Sequence, residues 1–345
     1  MKKFFAVVLM LALALSALPG APSAQAQGDL GSPENPIQVY FVPSGEATTI
    51  VEGGQVLAEA LNELTGLTFE VFVPTSYAAT IEAMCAAPDR TMGFIPAAGY
   101  VIANNRCGVE VAAAAVRNGW PVYWAEYIVR RDSDIYTFGD LDGKTWGYAD
   151  PGSTSGYIVP SVEFAEAGIT PGAEVQTGGH NQTVLAVYNG EVDFGTVYFS
   201  PPLMPEGFAP WSTKDLPEPY DLTVDESYVT EEGHIYVGDV RIMDARQTAY
   251  ETAPDIIEQV RILALTTAIP NDTLSFGPEF PPELRDQIVQ ALIDLSADSE
   301  AWNATALAAA YNWTGMEPIG DEAYDVVRSQ IEFLGQTEED ILGEG

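Results

Sequence analysis

The hydrophobic positions of the chain follow two alternating spacings. Short apolar runs, which are typical of strands, are separated by segments whose apolar residues recur every three or four positions, which is typical of helices. In the first part of the chain, the strand-like runs are residues 37–42, 69–73, 92–95 and 109–116. The helical segments between them are residues 50–64, 77–84 and 96–100. This alternation predicts a doubly wound α/β lobe.

A longer extended stretch at residues 121–131 is rich in Tyr, Trp, Ile and Val. We expect it to cross into a second α/β lobe, which shows the same alternation of strand and helix. Residues 201–235 are rich in Pro, Gly and acids, and they predict a surface insertion with little regular structure. Residues 260–272 resemble the first crossing in length and character and predict the return crossing.

The last part of the chain is helical in pattern and is expected to pack back on the first lobe. The predicted division is lobe 1 at residues 28–127 plus 268–345, and lobe 2 at residues 128–267. Two lobes joined by two extended crossings imply a cleft and a hinge that can close on a ligand.

The first 26 residues are typical of a secretory signal peptide. Lys2 and Lys3 precede an apolar run at residues 4–18, and Ala24-Gln-Ala26 provides a small-residue cleavage site. The first cysteine is Cys85, so an N-terminal lipid anchor is not expected. The sequence therefore predicts an exported, unlipidated protein in a periplasm or outside a single-membrane cell.

Composition narrows the possible partners. The formal net charge is −36, which repels nucleic acid and anionic lipid. Hydrophobic residues make up 47% of the chain, which excludes a disordered acidic protein. The two cysteines, Cys85 and Cys107, favour a disulfide in an oxidising compartment, and two free thiols are the alternative. Two cysteines and two histidines give no zinc-site spacing, and we expect no metal or cofactor.

Candidate chemistry lies where loops lead into helices. Ser153, Thr154 and Ser155 follow a strand and the Asp150-Pro-Gly152 turn, and three hydroxyls exceed what a helix cap needs. With free backbone N–H groups they would form a neutral, donor-rich cradle for an anion. A plain helix cap with two solvated neighbours is the alternative.

Three further junctions could face the same cleft. They contain Ser44 and Glu46, then Thr75 to Tyr77, and finally His180 after two glycines. None of the four junctions contains Lys or Arg, so selectivity would come from hydrogen-bond geometry. His180 could equally be a cap or surface residue.

A hydrolase is the rival from another class. Residues 152–156 fit Gly-x-Ser-x-Gly only in outline, because the central residue is Thr154. No carboxylate is placed by sequence to complete a triad with His180. We therefore expect no catalysis.

Five motifs in order resemble the PhnD-like phosphate, phosphite and phosphonate-binding proteins of ABC transporters. They are Tyr148-Ala-Asp-Pro-Gly-Ser-Thr-Ser-Gly-Tyr157, Thr75-Ser-Tyr77 with Ile81-Glu-Ala83, Gly93-Phe-Ile-Pro-Ala-Ala-Gly-Tyr100, His180 with Ala186 to Gly195, and Ala268-Ile-Pro-Asn-Asp272 with Pro282 to Arg285. The resemblance covers nearly the whole chain after the signal peptide. It implies a type II periplasmic-binding fold with the ligand between the lobes.

The resemblance also implies a ligand site. The hydroxyls of Ser153, Thr154 and Ser155 would bind the oxygens of the anion. The other candidates are Tyr77, His180, Ser44, Glu46, Tyr198 and an aromatic residue that is either Tyr123 or Trp124. Family members that bind aminoalkylphosphonates have an acid after the strand that ends near Tyr198. Phe199-Ser-Pro201 stands there instead, which favours a smaller oxyanion.

The sequence thus predicts a monomeric, exported solute-binding protein that captures phosphate, phosphite or a phosphonate. It would pass the anion to an ABC permease in the membrane. The alternatives are the same fold with another small ligand, such as a sulfonate or a thiamine precursor, or the same fold feeding a sensor.

Overall fold

The first part of the chain folds into the predicted alternation of strands and helices. The computed structural model describes residues 29–231, 233–309 and 311–335, so the expected signal peptide lies outside the described residues. The elements are β1 (Ile37–Phe41), α1 (Ala47–Thr65), β2 (Phe69–Phe72), α2 (Tyr77–Ala86), β3 (Thr91–Ile95), α3 (Ala97–Cys107) and β4 (Glu110–Val116). Helix α1 ends at Gly66, whose φ of 74° is the left-handed conformation that glycine adopts without steric cost.

The middle of the chain forms the second set of elements. They are β5 (Val122–Arg130), β6 (Thr145–Tyr148), α4 (Val159–Ala167), β7 (Ala173–Gln176), α5 (His180–Asn189), β8 (Phe194–Phe199), β9 (Ser227–Val229), β10 (Ile235–Val237), β11 (Val240–Arg241), α6 (Ile256–Gln259) and β12 (Val260–Leu265). Strands β9, β10 and β11 form a small antiparallel sheet. The segment 201–235, expected to have little regular structure, contributes β9 and the first residue of β10, and its other described residues belong to no helix or strand.

The last part of the chain returns to the first sheet. Its elements are β13 (Ile269–Pro270), β14 (Thr273–Phe276), α7 (Pro282–Ala297), α8 (Ser299–Asn303), α9 (Ala306–Ala309), β15 (Gly315–Pro318) and α10 (Asp325–Leu334). The helical pattern of this part of the chain covers residues 281–295, 301–311 and 322–334. The first range corresponds to α7, the second is divided between the short helices α8 and α9, and the third corresponds to α10.

Two six-stranded sheets form the centres of the two lobes. The first has the order β15-β4-β14-β3-β1-β2, with β1 parallel to both β2 and β3. The second has the order β12-β5-β8-β6-β7, with β13 paired to β5. In it β6 is parallel to β7 and β8, whereas β5 is antiparallel to its neighbours. Helices cover the parallel parts because such strands are apolar on both faces.

The two crossings between the sheets lie side by side. The first runs from β4 to β5, and β5 belongs to the second sheet over its whole length, so the expected boundary at residue 127 falls inside this strand. The second runs from β12 through β13 to β14. Asn271 joins the two, because its Nδ2 donates to the carbonyl oxygens of Ala115 at 2.7 Å and Trp120 at 2.8 Å. This paired backbone is the hinge region.

The lobes are packed against each other. Ile158 and Val159, at the start of α4 in the second lobe, belong to the same buried apolar cluster as the core of the first lobe. Helix α10 of the first lobe packs against α4. The structure is therefore the closed arrangement of the two lobes.

The disulfide is confirmed. Cys85 and Cys107 are bonded, with their Cα atoms 5.6 Å apart, and they connect the end of α2 to the end of α3. Over the part of the chain that the structure describes, none of the helices combines the length and apolar character needed to cross a membrane.

Candidate functional site

The hydroxyl-rich turn after β6 has an unusual helical geometry. Asp150 first closes the turn by accepting the Gly152 N–H at 2.8 Å. The Ser153 hydroxyl then caps the helix by accepting the Gly156 N–H at 3.0 Å. Residues Thr154–Ile158 form one π-helical turn, in which the Ile158 N–H donates to the Ser153 carbonyl at 3.1 Å. Such turns are rare and are frequent at functional sites.

This turn separates the three hydroxyls. Ser153 and Ser155 line a cavity between the lobes. Thr154 does not line it: its Oγ1 accepts the backbone N–H of Ala98 at 2.8 Å, at the start of α3 in the opposite lobe. The Thr154 hydroxyl therefore forms a contact between the lobes, and its expected role in binding the anion stays a prediction.

The interlobe cavity has a volume of about 580 Å³. It brings together eight of the ten side chains proposed from the sequence, which come from both lobes. They are Ser44, Glu46, Tyr77, Tyr123, Ser153, Ser155, His180 and Tyr198. Convergence of polar groups on one concave site is what a small-molecule site requires.

Trp124 is the second residue that does not reach the cavity. It packs with Trp120, Trp211 and Phe199 in an apolar cluster on the other face of the sheet. Successive side chains of a strand point to opposite faces, so only one of Tyr123 and Trp124 could face the cleft. The structure places Tyr123 there.

Hydrogen bonds from α5 also cross the cleft. The backbone N–H of His180 donates to the Ser44 carbonyl at 3.2 Å. The Asn181 Nδ2 donates to Glu46 Oε1 at 2.6 Å. Glu46 thus forms a contact between the lobes. Ser44 lines the cavity, and its backbone carbonyl accepts one of the hydrogen bonds between the lobes.

Arg117 is a cavity residue that the sequence interpretation missed. It follows β4 directly, is buried, and pairs with Asp272 through Nη2. Its guanidinium lies over the ring of Tyr123, 4.5 Å from the centroid, and near that of Tyr198 at 5.7 Å. Its Nε has no hydrogen-bond acceptor in the protein. A site expected to contain only neutral donors therefore includes a cation.

The sequence carried a weak signal for this pair. Arg117 comes immediately after the apolar run 109–116, and Asp272 ends the extended run 260–272. Both are charged residues at the two crossings. Their pairing becomes visible only when the sheet topology places the crossings together.

The electrostatics of the site keep its histidine neutral. Burial, reinforced by the positive charge of Arg117, lowers the pKa of His180 to about 3. The ring packs edge-on against Tyr198, with 5.3 Å between centroids, and its Nδ1 has no partner in the protein. Burial also raises the pKa values of Tyr77 and Tyr123, so both phenols keep their protons and can donate them.

Residues 233–251 form a second wall of the same cavity. Gly233 and His234 belong to the expected insertion, and Arg241, Gln247, Thr248, Tyr250 and Glu251 follow it in the chain. Nothing in the sequence pattern linked this segment to the ligand site. Among the described residues, no group of three or more His, Cys, Asp or Glu side chains could hold a metal ion.

Comparison with known proteins identifies the class. A family model described as "ABC transporter, phosphonate, periplasmic substrate-binding protein" matches residues 39–324. The match spans most of the chain, and the chain belongs to this family of ABC-transporter substrate-binding proteins. The family is one of transport proteins rather than enzymes.

Individual relatives agree with this assignment. The chain is similar to the phosphate-import protein PhnD of Mycolicibacterium smegmatis, with 26% identity over 341 residues and 94% coverage of each chain. It is similar in fold to a binding protein component of an ABC phosphonate transporter from Pseudomonas aeruginosa (TM-score 0.66, 19% identity, 88% of this chain and 91% of that chain). It is also similar to PhnD1 from Prochlorococcus marinus in complex with methylphosphonate (TM-score 0.64, 11% identity, 87% and 98% coverage). The resemblance and the type II periplasmic-binding fold are thereby confirmed.

Proposed function

We propose that this protein captures a phosphonate or phosphate group in the cavity between its lobes and passes it to an ABC permease. The observation that carries the proposal is the convergence of Ser153, Ser155, Tyr77, Tyr123 and Arg117 on one interlobe cavity. Hydroxyl and guanidinium groups are donors suited to the oxygens of an anion.

The donors are held in place before a ligand enters. The Tyr123 hydroxyl has the Ser155 and Thr154 side chains as hydrogen-bonding neighbours. Its ring supports the Arg117 guanidinium, whose position Asp272 fixes from the other side. Preorganised donors lose little conformational entropy on binding, which favours affinity.

Closure of the lobes completes the site because its donors are divided between them. Tyr77 and Ser44 belong to the first lobe, whereas Ser153, Ser155 and His180 belong to the second. The hydrogen bonds from the Ala98 N–H to Thr154 Oγ1 and from Asn181 to Glu46 form only when the lobes meet. A ligand that bridges the two walls would stabilise this arrangement by its differential affinity for it.

Net charge argues for the same mode of binding. The protein is strongly acidic, and the charge of Arg117 is balanced by Asp272. Long-range attraction therefore contributes little, and short-range hydrogen bonds in the closed cleft supply the affinity. The family is one of transport proteins, so we propose binding without catalysis.

Calorimetric titration of ligand-free protein tests this proposal. We expect methylphosphonate, phosphite or phosphate to bind with one site per chain. Methanesulfonate, which has a similar shape but carries no proton to donate, tests the sulfonate alternative. Absence of heat with all three phosphorus oxyanions would overturn the proposal.

A serine pair tests the site itself. Ser155→Ala removes a hydroxyl from the cavity and should weaken methylphosphonate binding about fivefold to tenfold, the usual effect of one hydrogen bond. Ser329→Ala removes a hydroxyl that bonds to the Asp325 carbonyl on exposed α10, outside the cavity, and serves as the matched control. Equal affinity in both variants would remove Ser155 from the site.

Export and delivery complete the proposed function. The signal-like residues 1–26 would direct the chain to the periplasm or the cell exterior, where a monomer meets the permease. Deletion of the gene should abolish uptake of the bound oxyanion, and a copy without residues 1–26 should fail to restore it. Restoration by that copy would contradict export through this segment.

A further inference from the structure

The cavity extends well beyond a phosphonate headgroup. Its volume is about 580 Å³, within the range of sites that enclose ligands of drug size. A tetrahedral headgroup at Ser153 and Ser155 fills only part of it. The remainder is bounded by lining residues from the segment 233–251, of which Gln247 lies beside Tyr198.

Arg241 is the cation at this second end. It lies in β11, is partly buried, and lines the cavity. Its Nη2 contacts Nδ1 of His234 at 3.0 Å, and its Nε has no hydrogen-bond acceptor in the protein. Burial lowers its pKa from the usual value. Desolvation therefore costs this guanidinium free energy that no carboxylate offsets.

The absence of a carboxylate partner is exceptional in so acidic a chain. Among the twelve Lys and Arg residues of the described part, nine have an acidic side chain within 4.0 Å. The other three are Lys214, Arg241 and Arg261, and Arg241 alone of these lines the cavity. With 50 acids in the sequence, a cavity arginine without a counter-ion is suited to an anion that arrives from outside.

We propose that this end binds a second anionic group, so that the physiological ligand is a carboxyalkylphosphonate or a similar two-headed anion. The phosphonate would lie at Ser153, Ser155 and Arg117, and the carboxylate at Arg241. A planar guanidinium matches a carboxylate through two parallel hydrogen bonds. This inference rests on the proposed function, since it concerns the carboxylate end of the same ligand whose phosphonate end the proposed function describes.

The acids of the cavity do not offer an equal site for an amine. Asp272 is paired with Arg117, and Glu46 accepts a hydrogen bond from Asn181 across the closed cleft. Glu251 is exposed to solvent and accepts the Tyr250 hydroxyl at 3.4 Å. A cationic tail would also meet Arg241 as a like charge, which disfavours it.

The test compares ligands that differ only in the tail. Ligand-free protein is titrated with methylphosphonate, propylphosphonate, phosphonoacetate, 3-phosphonopropionate, 4-phosphonobutyrate and 2-aminoethylphosphonate. We expect at least one carboxylate to bind tenfold or more tightly than propylphosphonate, because a charge-assisted pair is formed. The amine should bind no better than propylphosphonate.

Matched variants connect the effect to Arg241. Arg241→Gln should remove the advantage of the carboxylate and leave methylphosphonate affinity within about twofold of wild type. Unchanged methylphosphonate binding also shows that the variant is folded. Arg261→Gln is the control, because Arg261 has no acidic partner and lies outside the cavity. It should leave the whole series unchanged.

The outcomes separate the two proposals. Binding of methylphosphonate without any preference for a carboxylate overturns this inference and leaves the proposed function intact. A preference for 2-aminoethylphosphonate also overturns it. A carboxylate preference that survives in Arg241→Gln assigns the tail to another residue and contradicts the role of Arg241. Failure of every phosphonate to bind overturns the proposed function.

Discussion

Arg117 and Arg246 are the two arginines that are buried among the described residues, and their surroundings differ in one respect. Arg246 uses all five of its N–H donors. Two go to Asp244 at 2.9 Å each, one to Glu218, one to the Val260 carbonyl at 3.1 Å and one to the Tyr220 hydroxyl at 2.9 Å. Arg117 uses two, to Ser200 at 3.3 Å and to Asp272, and its Nε has no acceptor.

The difference separates a structural arginine from one available to a ligand. Arg246 lies in the second lobe among partners that satisfy it, so it has no donor left to offer. Arg117 lies at the hinge, lines the cavity and retains donors. Burial and ion pairing alone do not distinguish the two residues. The two arginines are distinguished by the number of N–H donors that have no acceptor and by whether the residue lines the cavity.

The largest expected effect is on stability and comes from Arg246. Arg246→Met leaves Asp244 buried without its cation and removes one of the two cations of Glu218, which keeps Arg131, and it should lower the free energy of unfolding by about 3–5 kcal/mol. Urea denaturation measures this change. Arg106→Met, which breaks an exposed pair with Glu82, is the control and should cost less than about 1 kcal/mol. Similar losses in the two variants would refute the structural role of Arg246.

Arg117 should affect binding more than folding. Arg117→Met removes a charged donor from the cavity and should weaken methylphosphonate binding by about 1.5–3 kcal/mol, measured by calorimetry. It also leaves Asp272 unpaired, so stability falls as well. Adding Asp272→Asn should recover stability and leave affinity low. Recovery of affinity in the double variant would show that Arg117 acts only by neutralising Asp272.

The effect of His180 titration on stability is absent at neutral pH and appears only as the pH falls below about 6.5. Its pKa is about 3 in the folded protein and about 6.5 when unfolded, so the unfolded chain binds a proton first as the pH falls. Its contribution to stability is complete above pH 6.5 and is lost progressively down to pH 3, by at most about 1.4 kcal/mol per pH unit. His180→Gln should show a shallower decline of unfolding free energy over this range. Parallel declines would contradict the low pKa.

Arg117 provides a further check on the same histidine. Its positive charge is the second cause of the low pKa, after burial. In Arg117→Met the proton should therefore bind to His180 at a higher pH, which NMR titration of the ring can follow. Arg246→Met should leave this titration unchanged, since Arg246 is not among the groups that shift it.

Periodicity was sufficient to predict the two lobes and the paired crossings. Strand-like runs and helical spacing are local properties, and the apolar residues of β1, β3 and β5 are buried as such patterns require. The hydroxyl turn was located for the same reason, since Asp150, Pro151 and Gly152 end a strand and a helix follows. These features depend on residues close together in the chain.

The directions in which individual side chains point could not be predicted from the sequence. The Thr154 Oγ1 accepts the Ala98 N–H of the other lobe, and no local signal in the sequence marks that contact. The sequence did not distinguish Tyr123 from Trp124, because only the structure shows which face of the sheet lines the cleft. Arg117 contacts Ser200, which is 83 positions away in the sequence, and Arg241 contacts His234, which is seven positions away. The sequence did not specify how the elements that contain these residues pair.

The disulfide has a consequence for when the protein becomes competent. It joins the far ends of α2 and α3. The near ends of these helices contribute Tyr77 to the cavity and the Ala98 N–H to the closure bond with Thr154. The bond thus adds a covalent link between two helices that also pack against each other. In the reduced chain packing alone holds Tyr77 and Ala98 in their relative positions, so we expect oxidation of the protein to strengthen its binding of a ligand.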